Sequence, residues 1–100
     1  MSLHRLVITQ DLTIYTALEV KVLLLDALKA NEGLELDLTQ VAQIDTAGVQ
    51  LLMLTKREAQ AANKECKIVA HSPAVHETID FCNLAAFFGD PMVISAKEQV

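Results

Sequence analysis

Few residues of this chain have the types and spacing that catalysis needs. Ser2, Ser72 and Ser95 lack the Gly-x-Ser-x-Gly setting that exposes a nucleophilic serine. Glycine stands only at positions 33, 48 and 89, so a Gly-rich phosphate loop is excluded. His71 and His76 lie five residues apart, and neither has a cysteine at metal-ligand spacing. They read as partly exposed histidines beside a helix start, and no metal or cofactor is expected. Asp80, four residues after His76, reads as a surface helix pair and not as half of a catalytic dyad. Cys66 and Cys82 read as free, buried thiols in a reducing compartment. The chain is not expected to be an enzyme.

The informative segment is Ile44-Asp45-Thr46-Ala47-Gly48-Val49, where a loop becomes a helix. Asp45 suits the N-cap, and the free N–H groups and positive dipole end there welcome a phosphate or a partner's carboxylate. At about 100° per residue, Gly48, Leu51, Leu52, Thr55, Ala59 and Ala62 share the side that faces a sheet. Val49 and Met53 then fall on the opposite side with Lys56 and Gln60, forming a candidate contact strip. The expected partner-binding set is Asp45, Thr46, Gly48, Val49, Met53 and Lys56. Lys56 and Arg57 would bias the choice towards an acidic partner.

The elements that must position this segment follow from periodicity and turn signals. Leu3–Ile8 and Leu12–Ile14 read as strands around a turn at Gln10-Asp11. Thr16 and Glu19 form a capping-box pattern ahead of a helix over Ala17–Ala30, which Asn31-Glu32-Gly33 stops. On that helix Val20, Leu23, Leu24 and Ala27 face inward. Leu18, Val22 and Leu25 form a second stripe, expected to meet a neighbouring helix. Leu34-Glu35-Leu36-Asp37-Leu38 alternates as a half-buried strand does. The second helix runs to about Ala62, and a strand follows over Cys66–Ala70. Ser72-Pro73 starts a third helix that carries Val75, Ile79 and Phe81 and ends near Asn83. A short element over Leu84–Phe88 and a last strand over Met92–Ile94 complete the expectation. The fold class is α/β: one domain over residues 1–100, with a mixed sheet of four to five strands, right-handed crossovers and helices mainly on one face.

Composition narrows the function further. Hydrophobic residues are 52% of the 100-residue chain and aromatics only 4%, so the core must be aliphatic. A formal charge of −5 without a basic stripe argues against nucleic acid or an anionic membrane as partner. Apolar runs fall short of the roughly 20 residues that span a bilayer. The N-terminal segment MSLHRLVITQD lacks a secretory leader's layout, so the expected compartment is the cytosol.

The order of elements and these residues together resemble the STAS domain, the fold of bacterial anti-sigma factor antagonists. The resemblance rests on Leu34–Leu38, the loop Val41–Gly48, the leucine-rich helix after it, the strand Lys67–Ala70, Ser72-Pro73-Ala74-Val75, Asn83-Leu84 and Phe87-Phe88. It implies a cytoplasmic signalling module in transcription regulation, whose protein partner is a kinase-like anti-sigma factor. Family members are phosphorylated on a serine in Asp-Ser-Ser-Gly. Here the motif reads Asp45-Thr46-Ala47-Gly48, so the usual acceptor position is Ala47, which has no hydroxyl, and Thr46 is the one remaining acceptor. The variant is similar to the STAS subunit of bacterial phospholipid-transport ABC systems, which makes an ABC ATPase subunit the alternative partner. Homodimerisation stays open.

Overall fold

Strict alternation in Leu34-Glu35-Leu36-Asp37-Leu38 sends three leucines to one face of a strand and two carboxylates to the other. A computed structural model describes residues 3–82 and shows that split directly: Leu34, Leu36 and Leu38 are buried, while Glu35 and Asp37 are half-buried. The strand is β2 (Gly33–Leu38), central in a three-stranded sheet ordered β1-β2-β3 with β1 (His4–Val7) and β3 (Glu65–His71). Both pairings are parallel. Leu6, Leu36 and Ile68 lie side by side on the apolar face. Arg5, Glu35 and Lys67 lie side by side on the polar one. Helices α1 (Ala17–Ala30), α2 (Thr46–Ala61) and α3 (Pro73–Phe81) contribute Val20, Leu24, Leu28, Leu51, Leu52, Val75 and Ile79 to one core with the β2 leucines.

Two sequence expectations change. Among the described residues the sheet has three strands, not four to five, and it is parallel throughout, not mixed. The expected Leu12–Ile14 strand reduces to one parallel bridge, Leu12 to Ile44. The physical reason is that the backbone of residues 13–16 is spent on a turn. Thr13 N–H donates to the Thr16 hydroxyl, Thr16 N–H to the Thr13 carbonyl, and Ile14 N–H to Asp45. The expected elements at Leu84–Phe88 and Met92–Ile94 lie outside the described residues.

The same turn removes the expected capping box. Thr16 has a helical-region backbone (φ −111°, ψ −3°) and makes no side-chain cap bond to α1. Its hydroxyl instead donates to the Asp11 carbonyl. The other two helix starts form as the sequence suggests. Asp45 accepts from Gly48 N–H, and Ser72 accepts from Val75 N–H with Pro73 at the first helical position. The ends of α1 and α2 are joined by Lys64, whose Nζ donates to the Leu28 carbonyl at 2.7 Å. That bond places a cation at the negative end of the α1 dipole. Asn63, just before it, takes the left-handed conformation (φ 59°) that asparagine tolerates.

Strand β3 departs from regular alternation after Ile68, because Leu36 pairs with Ile68 but Asp37 with Ala70. The skipped Val69 is an extra residue on β3, and alternation of buried and exposed side chains stops there. Ser72 N–H then reaches the Leu38 carbonyl, so the third helix starts against the end of the central strand.

On the polar face, Asp37 accepts from Arg5 at 2.8 Å and from the Thr39 hydroxyl and N–H. The Thr39 bonds, chiefly, and then Arg5 lower its pKa from 3.8 to about 2. A pKa lower in the folded than in the unfolded chain means stability present above pH 3.8 and lost as pH falls through about 2. Thr39→Ala removes the hydroxyl donor. It should move the Asp37 pKa up towards 3.8, measured by NMR titration of the carboxyl carbon, and make acid unfolding begin at a higher pH.

Candidate functional site

The carboxyl ends of β1, β2 and β3 release three loops on one edge of the sheet, the usual place for a site in a parallel α/β fold. Two of these loops are clasped together. Leu12 N–H donates to the Gln43 carbonyl at 2.9 Å, and Asp45 N–H returns the bond to the Leu12 carbonyl at 3.1 Å. Asp11 adds to this, its Oδ1 accepting from Ala42 N–H and Gln43 N–H. Asp45 completes it, with Oδ1 on Gly48 N–H and Oδ2 on Ile14 N–H. These bonds hold the Asp45 carboxyl below its ordinary range, Ile14 N–H contributing most.

Gly48 is the place where the clasp touches the helix. A Cβ on Gly48 would overlap the Leu12 carbonyl, so only glycine lets this backbone cross the first turn of α2. Asp45, Thr46 and Gly48 therefore stand together as expected, with Thr46 exposed and Gly48 buried. Ala47 is half-buried between them.

The strip expected on the outer side of α2 is not there. Val49 is buried, at 3% exposure, and Met53 is partly buried against the core. Lys56 is half-buried, and its Nζ donates to the Cys66 carbonyl at 2.8 Å. The expected inward face was too narrow because α2 packs against both α1 and β3. Two neighbours widen the buried arc of a helix beyond a single sheet-facing stripe. Ala62, expected inward, is exposed just past the helix end.

The apolar surface lies instead on α1 and the loop before it. Leu18 is 75% exposed and Val22 53%, so among the described residues no helix covers these two, whereas Leu25, the third residue of the expected stripe, is half-buried beside Glu58 of α2. Ile14 and Tyr15 continue it, Tyr15 at 94% exposure. Next to them an open groove of about 490 Å³ runs between the clasp and α3, lined by Tyr15, Gln43, Asp45, Glu77 and Thr78 among others. Sequence reasoning missed Ile14, Tyr15, Asp11 and Glu77. An Ile-Tyr pair inside a loop of polar residues was the available signal for the first two. Nothing local marks Asp11 or Glu77.

A strand–helix alternation with this clasp at Asp45–Gly48 can be compared with known families. The family model described as "Mlab, STAS domain" matches residues 3–93. The chain belongs to the STAS domain family. Its fold is similar to the structure of the anti-sigma factor antagonist SpoIIAA in its unphosphorylated form. The TM-score is 0.66 at 17% identity, over 86% of this chain and 78% of that one. A comparison with curated proteins finds no match. For this STAS domain, no helix among the described residues is long and apolar enough to cross a membrane. Nor do the described residues gather three metal-ligating side chains. Of the two thiols expected to be buried, Cys66 is buried and Cys82, just past the end of α3, is exposed.

The clasp orders the effects of substitution at the site. Gly48→Ala should destabilise by about 1–3 kcal/mol, because the methyl meets backbone and not a flexible side-chain tip. Asp45→Ala should cost about 0.5–2 kcal/mol, as the loss of an N-cap does. Met53→Asp should also lower the urea midpoint, since the side chain packs on the core. Equal midpoints for Met53→Asp and wild type would return Met53 to the free surface.

Proposed function

We propose that this STAS domain is a regulatory protein-binding module that resembles the anti-sigma factor antagonists and acts by contact alone. The observation that carries the reading is Ala47 directly before Gly48, at the position where the family's acceptor serine stands. A methyl side chain cannot take a phosphoryl group, so the contact is not released by modification at that residue. Thr46 is exposed and chemically competent. On a helical start, however, its hydroxyl is rotated by about 100° from the usual acceptor position. The exposed apolar stripe supports a binding role, because soluble monomers seldom leave such stripes uncovered without use.

A second reading has one observation in its favour. Asp45-Thr46-Ala47-Gly48 is similar to the motif of the STAS subunit of phospholipid-transport ABC systems, which makes an accessory role beside a transporter ATPase the alternative.

Both readings are tested by mixing the purified chain with each candidate from the same genome, a kinase-like anti-sigma factor and a transporter-type ATPase subunit. A stable complex with one of them is expected. Phosphopeptide mapping after incubation with ATP should find residues 45–48 unmodified. Stoichiometric phosphate on Thr46 would show that the switch has moved by one residue. Binding to neither candidate would remove the protein-binding reading.

A further inference from the structure

Two features meet at the carboxyl end of the sheet, and together they describe a partner. The first is the apolar stripe. Leu18 and Val22 are one helical turn apart on α1, with Tyr15 and Ile14 just before them, and all four are exposed. The second is the groove beside Tyr15, whose charged lining residues are Asp45 and Glu77. Among the described residues no Lys, Arg or His lines it.

The sign of the groove is settled by its hydrogen bonds. Two helix starts, α2 and α3, border it and would ordinarily attract an anion. Both are already served from within the chain. The Asp45 carboxylate takes Gly48 N–H and Ile14 N–H, and the Ser72 hydroxyl takes Val75 N–H. The slot for an incoming anion is filled by the protein's own carboxylate. Two acidic residues then line the groove, and among the described residues no lining cation balances them.

We infer that a partner protein lays an apolar face on Ile14, Tyr15, Leu18 and Val22 and inserts an arginine into the groove beside Asp45 and Glu77. The inference rests on the protein-binding reading above and gives its partner a chemistry. The Tyr15 ring is uncovered, and its face can stack against a guanidinium while the carboxylates accept its N–H groups. A large aromatic beside an arginine, ringed by smaller apolar contacts, is the composition of an interface hot spot. A second copy of this chain is the competing occupant, and charge opposes it. Each copy carries −5, and among the described residues its groove lining offers no cation. The expected partner is therefore basic at this contact, not acidic as Lys56 and Arg57 had suggested. Lys56 is held at the Cys66 carbonyl, on another part of the molecule's hydrogen-bond network.

The test uses the full chain and whichever of the two purified candidates, anti-sigma factor or transporter ATPase subunit, binds it. Affinity is measured by calorimetry for wild type, Tyr15→Ala, Leu18→Glu and Glu77→Lys. All three changes are at residues that are exposed, so circular dichroism should show unchanged folding and melting. The expected result is a loss of about thirtyfold or more for Tyr15→Ala and Leu18→Glu. Glu77→Lys should slow association and flatten its dependence on salt. Wild-type affinity in the first two variants would overturn the docking surface while leaving the binding function intact. A loss in those two with Glu77→Lys unaffected would overturn the arginine. A wild-type dimer in sedimentation that Leu18→Glu converts to monomer would give the stripe to a second copy and overturn the proposal. Failure of wild type to bind either candidate would remove the functional reading, and the docking surface with it.

Discussion

The reciprocal bonds between Leu12 and the segment Gln43–Asp45 are the constraint on which the rest of the site depends. They bring the loop after β1 against the loop after β2, and neither loop has regular structure of its own to hold it there. Asp45 serves both sides at once, capping α2 and receiving Ile14 N–H. The missing side chain at Gly48 is the other half of the same arrangement, since it lets the Leu12 backbone lie on the helix. The exposure of Ile14 and Tyr15 follows: their backbone is fixed from below, and their side chains are left on the outside.

That arrangement changes what a helix start means here. A capped N-terminus is usually read as a receptor for phosphate, and the family's acceptor position lies within this one. In this chain the receptor is occupied by an internal carboxylate, and the acceptor position is a methyl group. Switching by added charge and docking by shape are different uses of the same corner.

Most of the fold was legible in the sequence, for a physical reason that differs from element to element. The span of α1, the alternation of β2 and the start of α3 at Ser72-Pro73 rest on local patterns, and local patterns survive folding. The Thr16 capping box was equally local and did not form, because a competing bond to the Asp11 carbonyl, in the same loop, took its hydroxyl. Asp45, Thr46 and Gly48 were placed at the start of α2 because a helix start with glycine three residues after an acidic cap is a sequence feature. Val49 and Met53 were misplaced because the width of a buried arc depends on how many elements flank the helix. No window of sequence holds that number. Leu18 and Val22 failed in the opposite direction, recognised as a stripe but given a neighbour.

Strand order has a consequence for how the chain comes together. Among the described residues, β1, β2 and β3 lie in the sheet in the order in which they are made. Each new strand adds to the free side of the one before it, and no strand has to be threaded between two that are already paired. The loop that must close at each addition is one helix and its two turns, so entropy is lost in small instalments. Chains with such short-range topology fold faster than those whose partners are distant in sequence. The clasp between residues 12 and 45 reaches past the end of the first of these units, tying the loop after β1 to the loop that opens the second.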